Sequence, residues 1–432
     1  MNSSLISTIT AQHIGTLASF SGWVQTLRSN GKLCFIELRD GTGYLQAVAE
    51  FSVLGETTFR ALESLWIESS LRLTGTISQH PKKNEFELQV SDVHIYHATS
   101  DYPLGTKSDH GIDFLLDQRH LHLRSKKQVA IQKVRDTIIH ATYDWMREHH
   151  FTKIDSPIFT PSACEGTTEL YSTTHINEEM MYLTQSGQLY LEAAISAVGS
   201  CYDFGPVFRA EHCKTRRHLN EFWMMDAEIP FIQQEENMCI QEQLIQYIIN
   251  QVLLVNRSDL MTLEADIPAL EAIQLPYRRI THAQRCDELI AMWFELPADR
   301  DIGSDLEMQY CQRQTQPLFV TNFPISQKAF YFKEDPDHLG TVLWADLLAP
   351  GDCGESIGGG TREDDYDKLL SKITAHRLPL DEFQWYLDTR KYGSVPHAGF
   401  GYGLERIVRR LCGVDHVRVT IPFPRYNNRI RP

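Results

Sequence analysis

Apolar and polar residues alternate in five short runs near the start of the chain: Ala18 to Gln25, Leu33 to Leu38, Tyr44 to Glu50, Ser70 to Ile77 and Glu85 to His94. A period of two turns one face of each run towards a core, the signature of half-buried strands. A helical stretch at Thr57 to Trp66 separates the third run from the fourth. Five strands with one inserted helix predict an OB-fold β-barrel over residues 1–101. Tyr102 to Asp117, with Pro103, two glycines and mixed charge, reads as a linker that runs on to residue 125. From Lys126 the period changes. Val134, Ile138, Ile139, Ala141 and Trp145 recur at helical spacing within Val129 to His149, and Glu236 to Val255 reads as a second long helix. Tyr202 to Ala210 and Glu221 to Ile229 are strand-like and flank a loop holding His212, Lys214, Arg216, Arg217 and His218, which makes a hairpin with a cationic tip. Residues 126–432 are therefore expected to form an α+β domain on an antiparallel sheet flanked by helices.

Two arginine-centred segments bring in the chemistry. In the first, Arg209 stands among apolar strand residues, where an unpaired guanidinium would be costly, so it calls for an anionic partner. Phe222, at the start of the return strand, offers a ring for a base to stack on. In the second, Gly399, Gly401 and Gly403 alternate with Phe400, Tyr402 and Leu404 and lead into a helix that carries Arg406 in its first turn. Alternating glycines leave one strand face bare for a planar base, with Arg406 near a helix N-terminus that suits phosphate. The spacing is not that of a dinucleotide fingerprint, and no GxxxxGK[ST] P-loop occurs. A glycine-packed strand with no ligand stays open on this segment alone.

Composition sets limits. The formal net charge is −15, which argues against a general nucleic-acid binder, DNA included, but leaves room for RNA on a local basic patch such as His212 to His218. Nine cysteines occur without a CxxC pair, so reduced core thiols are expected. The sequence has neither a signal-like start nor an 18-residue apolar stretch, which predicts a cytoplasmic protein with no membrane partner.

On these residues the chain resembles the class II aminoacyl-tRNA synthetases of the subgroup that charges aspartate, asparagine and lysine, most closely the bacterial-type asparaginyl family. The second family motif matches Phe208 to Glu228 and the third matches Gly399 to Arg406. The first, a helix followed by a strand with one proline, fits Val129 to His149 and Phe151 to Phe159 with Pro157. Thr-Gln-Ser-Gly-Gln-Leu from Thr184, Glu-Phe-Trp-Met from Glu221, Leu-Ala-Pro-Gly from Leu348 and Tyr-Gly-Ser-Val-Pro-His from Tyr392 match as well.

The resemblance implies an enzyme that joins L-asparagine to ATP as an adenylate and passes it to tRNA(Asn), with Mg2+ as cofactor and a homodimer formed through the first motif. It implies catalytic roles for Arg209, Arg406 and Glu355. ATP contacts fall on Arg209, Glu211, Arg217, His218, Leu219, Phe222, Glu355, Gly403 and Arg406. Glu355 fits the magnesium carboxylate; Asp346 is the second candidate, one residue further from Glu355 than the family spacing. The amino acid falls to Glu165, Ser186, Gln188, Leu191, Arg209, Glu211 and Arg362. Aspartyl enzymes carry a lysine where this chain has Leu191, so one cation fewer would face the substrate side chain, which suits a neutral amide. Phe35, Gln46 and Arg28 match anticodon-reading positions, against the plainer reading of Phe35 as core and Gln46 as strand surface. The chain departs from the family pattern in a shorter segment between Glu165 and Thr184 and in Gly360 and Thr361, where Ser and Gln are common. A non-discriminating aspartyl enzyme and an inactive relative acting as a binding protein stay open here.

Overall fold

The computed structural model describes residues 3–105, 110–161, 170–211, 216–351 and 354–432. The chain divides into two compact units, Met1–Leu115 and Leu116–Pro432.

In the first unit, strands β1 (Leu17–Ser29), β2 (Leu33–Arg39), β3 (Tyr44–Glu50), β4 (Ser70–Gln79) and β5 (Phe86–His97) close a barrel in the order β1-β2-β3-β5-β4. Only β3 and β5 pair in parallel. The alternation works as the sequence pattern requires: Phe20, Val24, Ile36, Leu38, Ala47, Ala49, Leu71 and Leu73 fill the interior. Helix α1 (Phe51–Glu63) adds Phe59 and Leu62, both fully buried. Gly55, with a non-helical φ of 74°, kinks it, so that a short turn from Phe51 precedes the helix expected from Thr57.

The second unit is built on an eight-stranded sheet. Its strands are β6 (Thr152–Lys153), β10 (Cys201–Phe208), β11 (Glu221–Pro230), β12 (Arg278–Thr281), β13 (Leu318–Pro324), β14 (Thr341–Ala349), β15 (Gly354–Thr361) and β16 (His397–Gly403), in the order β12-β13-β14-β15-β16-β11-β10-β6. The sheet is antiparallel except at its margins, where β12 pairs with β13 and β6 with β10 in parallel. A small second sheet joins β7 (Phe159–Thr160), β8 (Ser172–Thr174) and β9 (Met180–Leu183).

Helices α2 (Lys126–Glu148) and α4 (Gln234–Val255) match the helical periodicity. Val134, Ile138, Ala141 and Trp145 of α2 lie on one face and pack into the main core with Leu244, Ile248 and Val252 of α4. Each of the valine, leucine and isoleucine side chains contributes about 1.5–3 kcal/mol of burial. Ser125 caps α2 through a hydrogen bond from Gln128 N, and a Gln233/Glu236 capping box starts α4. Between them run α3 (Gln188–Val198) and, further on, α5 (Ser304–Cys311), α6 (Leu380–Lys391) and α7 (Leu404–Cys412).

Three expectations need correction. Phe151 to Phe159 is not one strand: β6 ends at Lys153 and β7 begins at Phe159 in the other sheet. Pro157, which has no N–H, stands in the break, and Ser156 N turns to the Asp203 carboxylate at 3.1 Å. The stretch read as linker holds two short helices, Ile112–Asp117 and Arg119–His122. Arg119 is buried and donates to the carbonyls of Pro422, Ile421 and Val419 at 2.8–3.1 Å, so the second helix belongs to the larger unit. Arg209 lies just past β10, which ends at Phe208; its own N–H donates to Asn220 O at 3.0 Å.

Candidate active site

The site is built on two neighbouring strands whose register matches acids to glycines. Met224, Asp226 and Glu228 of β11 stand opposite Gly403, Gly401 and Gly399 of β16. The bare glycine face is only partly free for a base. A Cβ on Gly399 would meet Glu228 Oε1 at 2.1 Å and one on Gly401 would meet Asp226 Oδ1 at 2.3 Å. Only at Gly403 is the nearest atom a ring, Phe222, at 3.6 Å. The first two glycines make room for carboxylates and the third for a planar ligand.

Around Gly403 lies a cavity of about 100 Å³, walled by Arg209, Arg217, His218 and Leu219 from the hairpin and by Phe222, Glu355 and Arg406. The Arg209 guanidinium stands 5.6 Å from the Phe222 ring centre. Arg217 donates to Glu307 Oε1 of α5 at 2.9 Å, and the same oxygen accepts from Glu355 N at 3.0 Å. The guanidinium passes so close to Gly354, at φ 67°, that a Cβ there would fall 1.8 Å from Nη1. Arg406 Nη1 donates to the Glu355 carbonyl at 3.2 Å and faces its carboxylate at 3.4 Å. Burial opposes ionisation of Glu355, but Arg406, Lys328, Arg209 and Arg217 outweigh it and hold the carboxyl below its usual range.

His218 sits among these cations as a neutral ring. Burial, then Arg406, Arg217 and Arg209, lower its pKa to about 4. His282 is lowered likewise to about 4 by burial, Arg285, Lys328 and Arg300. The unfolded imidazoles protonate near about 6.5, so the stability these groups contribute is complete above that pH and is lost as the pH falls from there towards 4. NMR titration of both rings is expected to give midpoints near 4. Midpoints at about 6.5 would contradict the buried cationic surroundings described here.

A second cavity of about 420 Å³ opens beside the first, lined by Ser186, Gln188, Asp226, Glu228, Lys328 and Arg362 among others. Arg209, Met224, Glu355 and Gly401 line both. Asp226 accepts from Ser186 Oγ at 2.8 Å and from Gly187 N at 2.9 Å, which fixes the turn leading into α3. Arg362 is buried and gives Nε and Nη2 to Glu228 Oε1 at 3.0 and 2.5 Å. Its Nη1 has no hydrogen-bond partner among the described residues. Burial, then the neighbouring Glu192 and Asp226, push the Glu228 carboxyl up to about 8 against the opposing pull of Arg362.

Not every residue expected at the site is brought to it. Leu191 packs in the core against Ile195 and Cys201 and lines neither cavity. On α3 it is Glu192, one turn after Gln188, that shares the Gln188 face more closely. Glu211 also lines neither cavity; its Oε2 lies 4.0 Å from His218 Nε2. Asp346 sits behind the wall, held by Lys328 Nζ at 3.3 Å and Trp344 Nε1, with its carboxyl raised to about 6 by burial. Glu165, His212 and Lys214 lie outside the described residues. In the barrel, Arg28 pairs with Phe35 across β1 and β2, and Phe35 and Gln46 are half-buried on the face opposite Cys34, Ile36 and Ala47. Gln46 Nε2 donates to Glu87 at 3.1 Å. Sequence reasoning missed Glu192, Glu228, Lys328 and Glu307; the one available signal was the acids at 226 and 228 recurring every second residue in an apolar strand.

The family described as "tRNA synthetases class II (D, K and N)" matches residues 111–427, and an OB-fold nucleic acid binding domain matches residues 18–96. The chain belongs to the class II tRNA synthetases. Among relatives, the asparagine–tRNA ligase of Pelotomaculum thermopropionicum is 43% identical, covering 98% of this chain and 99% of its own. The asparaginyl-tRNA synthetase of Pyrococcus horikoshii complexed with asparaginyl-adenylate has a TM-score of 0.96 at 35% identity and covers all of both chains. That of Entamoeba histolytica in complex with asparaginyl-adenylate has a TM-score of 0.91 at 31% identity, over 100% of this chain and 99% of its own. In this synthetase, no group of three or more His, Cys, Asp or Glu side chains among the described residues is placed to cage a metal ion. Glu355, whose side chain is 38% exposed, offers carboxylate oxygens on the cavity wall. That donor set fits Mg2+, which takes one or two carboxylates and fills its shell with water and phosphate oxygens.

Proposed function

We propose that this synthetase is an asparagine–tRNA ligase that uses both cavities at once: ATP in the smaller, L-asparagine in the larger, with Arg209 at their junction. The observation that carries this reading is the wall shared by Arg209, Met224, Glu355 and Gly401, which leaves the two ligands in contact. The asparagine α-carboxylate is already ionised, so the chemistry needs positioning and charge neutralisation more than a base. Its oxygen forms a bond to the α-phosphorus, and the bond to the departing pyrophosphate breaks. The 3′-terminal adenosine hydroxyl of tRNA(Asn) then attacks the carbonyl and AMP leaves. Arg209 spans the carboxylate and the α-phosphate, Arg217, neutral His218 and Arg406 hold the outer phosphates, and adenine stacks on Phe222 above Gly403. Mg2+ would be held by Glu355, with Asp346 behind it, and supplies neutralising charge to the phosphates. Ser186 and Gln188 orient the amino acid, with Glu165 assigned to the α-amino group by its place in the motif. Arg362 Nη1 donates to the side-chain carbonyl oxygen.

The choice of asparagine rests on that last group. A neutral amide oxygen needs a donor and no counter-charge, and Arg362 offers Nη1 as that donor while Nε and Nη2 are already taken by Glu228. Phe35, Gln46 and Arg28 are the anticodon-facing set on the barrel, α2 and the strand after it the homodimer surface, and residues 1–101 and 126–432 the two functional domains. No described helix is long and apolar enough to cross a membrane, and we place the enzyme in the cytoplasm with neither membrane nor DNA as partner. ATP–pyrophosphate exchange without tRNA, run with asparagine, aspartate and lysine in parallel, tests the reading. Exchange with asparagine alone is expected. Exchange driven by aspartate would reassign the substrate, and none at all would leave a binding protein.

A further inference from the structure

One buried carboxylate beside the amino-acid cavity has no part in the scheme above. Glu192 lies on α3 one turn after Gln188, and its side chain is completely shielded from solvent, yet it lines neither cavity. Five side chains from four elements converge on it. Gln188 Nε2 donates to Oε1 at 3.0 Å, and Tyr386 Oη donates to Oε2 at 2.6 Å. Arg390 Nη2 donates to Oε2, His397 Nε2 stands 3.2 Å from it, and Arg362 Nε lies 3.9 Å from Oε1. A cluster so deeply desolvated is costly to assemble, and replacing it with apolar residues would serve packing as well or better. Packing alone therefore does not account for a carboxylate here.

Its effect on Arg362 does. Two carboxylates approach the Arg362 guanidinium: Glu228 accepts from Nε and Nη2, and Glu192 Oε1 lies 3.9 Å from Nε, with Nη1 left over. Arg390, also buried, is the second cation of the cluster. His397 Nδ1 lies 2.8 Å from Val395 O, and its Nε2 lies 3.2 Å from Glu192 Oε2 and 3.3 Å from Arg390 Nη2. The arginines of the cluster are Arg362 and Arg390, and Glu192 is the carboxylate that reaches both. It offsets part of their positive charge, so a β-carboxylate brought to Nη1 would lose its water against a reduced counter-charge, while an amide oxygen would need only the hydrogen bond.

We propose that Glu192 is a specificity-determining positioning residue: it offsets the positive charge of Arg362 and Arg390, so that the side-chain end of the site favours an amide over a carboxylate without touching either. The proposal rests on the asparagine reading given above and moves the selectivity from Leu191, which faces the core, to its neighbour.

The test compares exchange kcat/KM for asparagine and for aspartate in the full-length enzyme and in charge variants. Glu192→Gln keeps the shape and an acceptor oxygen but makes the cluster one unit more positive. Its aspartate-to-asparagine ratio is expected to rise by about tenfold or more over that of the unaltered enzyme. Arg390→Gln makes the cluster one unit less positive and is expected to move the ratio the other way. The double variant restores the balance and is expected to return the ratio towards its original value, whatever happens to the absolute rates. Parallel losses for both amino acids with an unmoved ratio would show that Glu192 only buttresses the fold and would overturn the proposal. If Glu192→Gln alone fails to fold, Arg390→Gln and the double variant carry the same comparison. The substrate preference of the unaltered enzyme judges the asparagine reading separately, since the proposal concerns only the change in the ratio.

Discussion

Arg209→Ala is expected to lower asparagine-dependent ATP–pyrophosphate exchange by roughly 10²–10³-fold or more, the scale seen when one fixed donor to developing charge is removed. Arg209 lines both cavities, and its guanidinium is braced over the Phe222 ring. No other arginine or lysine among the described residues lines both. Arg217 and Arg406 face only the smaller cavity, and Arg362 and Lys328 only the larger. Losing Arg209 therefore removes the group that can meet nucleophile and α-phosphate together, and its neighbours cannot substitute. Affinity for tRNA should be largely retained, because the residues proposed to face the anticodon, Phe35, Gln46 and Arg28, belong to the barrel. Exchange kinetics alongside filter binding would check both halves, and near-normal exchange would remove Arg209 from the mechanism.

Gly399→Ala is the second large effect, and it acts through a residue that offers no chemistry. The new methyl would sit 2.1 Å from Glu228 Oε1, 2.2 Å from its Cδ and 2.5 Å from the Ala227 carbonyl. The carbonyl is backbone within a paired strand, and Glu228 is buried and anchored by Arg362, so neither can give way cheaply. Overpacking alone costs about 1–3 kcal/mol. If Glu228 is expelled from Arg362, an uncompensated buried charge adds about 3–5 kcal/mol. Thermal unfolding should show the loss, and any folded fraction should bind asparagine poorly, because Arg362 has lost its support. Gly403→Ala provides the contrast. There the methyl meets only the Phe222 ring at ordinary contact distance, 3.6 Å, so stability should change little while the base-binding face is obstructed. Equal stability of the two variants would refute the strand-to-strand fit described here.

Much of the fold could be read from the sequence because it is written in local periods. The barrel strands alternate, and α2 and α4 repeat every three to four residues; both patterns act within a dozen positions. What escaped was decided by long-range partners. The break between β6 and β7 depends on Pro157 together with an Asp203 carboxylate that captures Ser156 N. The short helix from Arg119 is held by carbonyls about 300 residues further along the chain, and composition alone makes such a stretch look like linker. The site divided the same way. Arg209, Phe222, Gly403 and Arg406 stood out in two short segments of the sequence, and all four line one cavity. Glu228 and Arg362 are 134 residues apart, and Glu192 and His397 are 205 apart, so no spacing announces either pair. Leu191 drew attention through motif position, although helix geometry turns it away and brings Glu192 towards the Gln188 face.

The common wall of the two cavities bears on inhibition. Because Arg209, Met224, Glu355 and Gly401 line both, one molecule could carry an amide end for the cavity proposed to take the amino acid and a purine end for the one proposed to take ATP, on a short, stable linkage. Once either end is seated, the other faces its own compartment at an effective concentration on the order of millimolar or above, so the joined compound should outbind either half alone by about 10²–10⁴-fold. A linkage that kept the geometry but could not be transferred to tRNA would hold the enzyme closed to both of its small substrates at once.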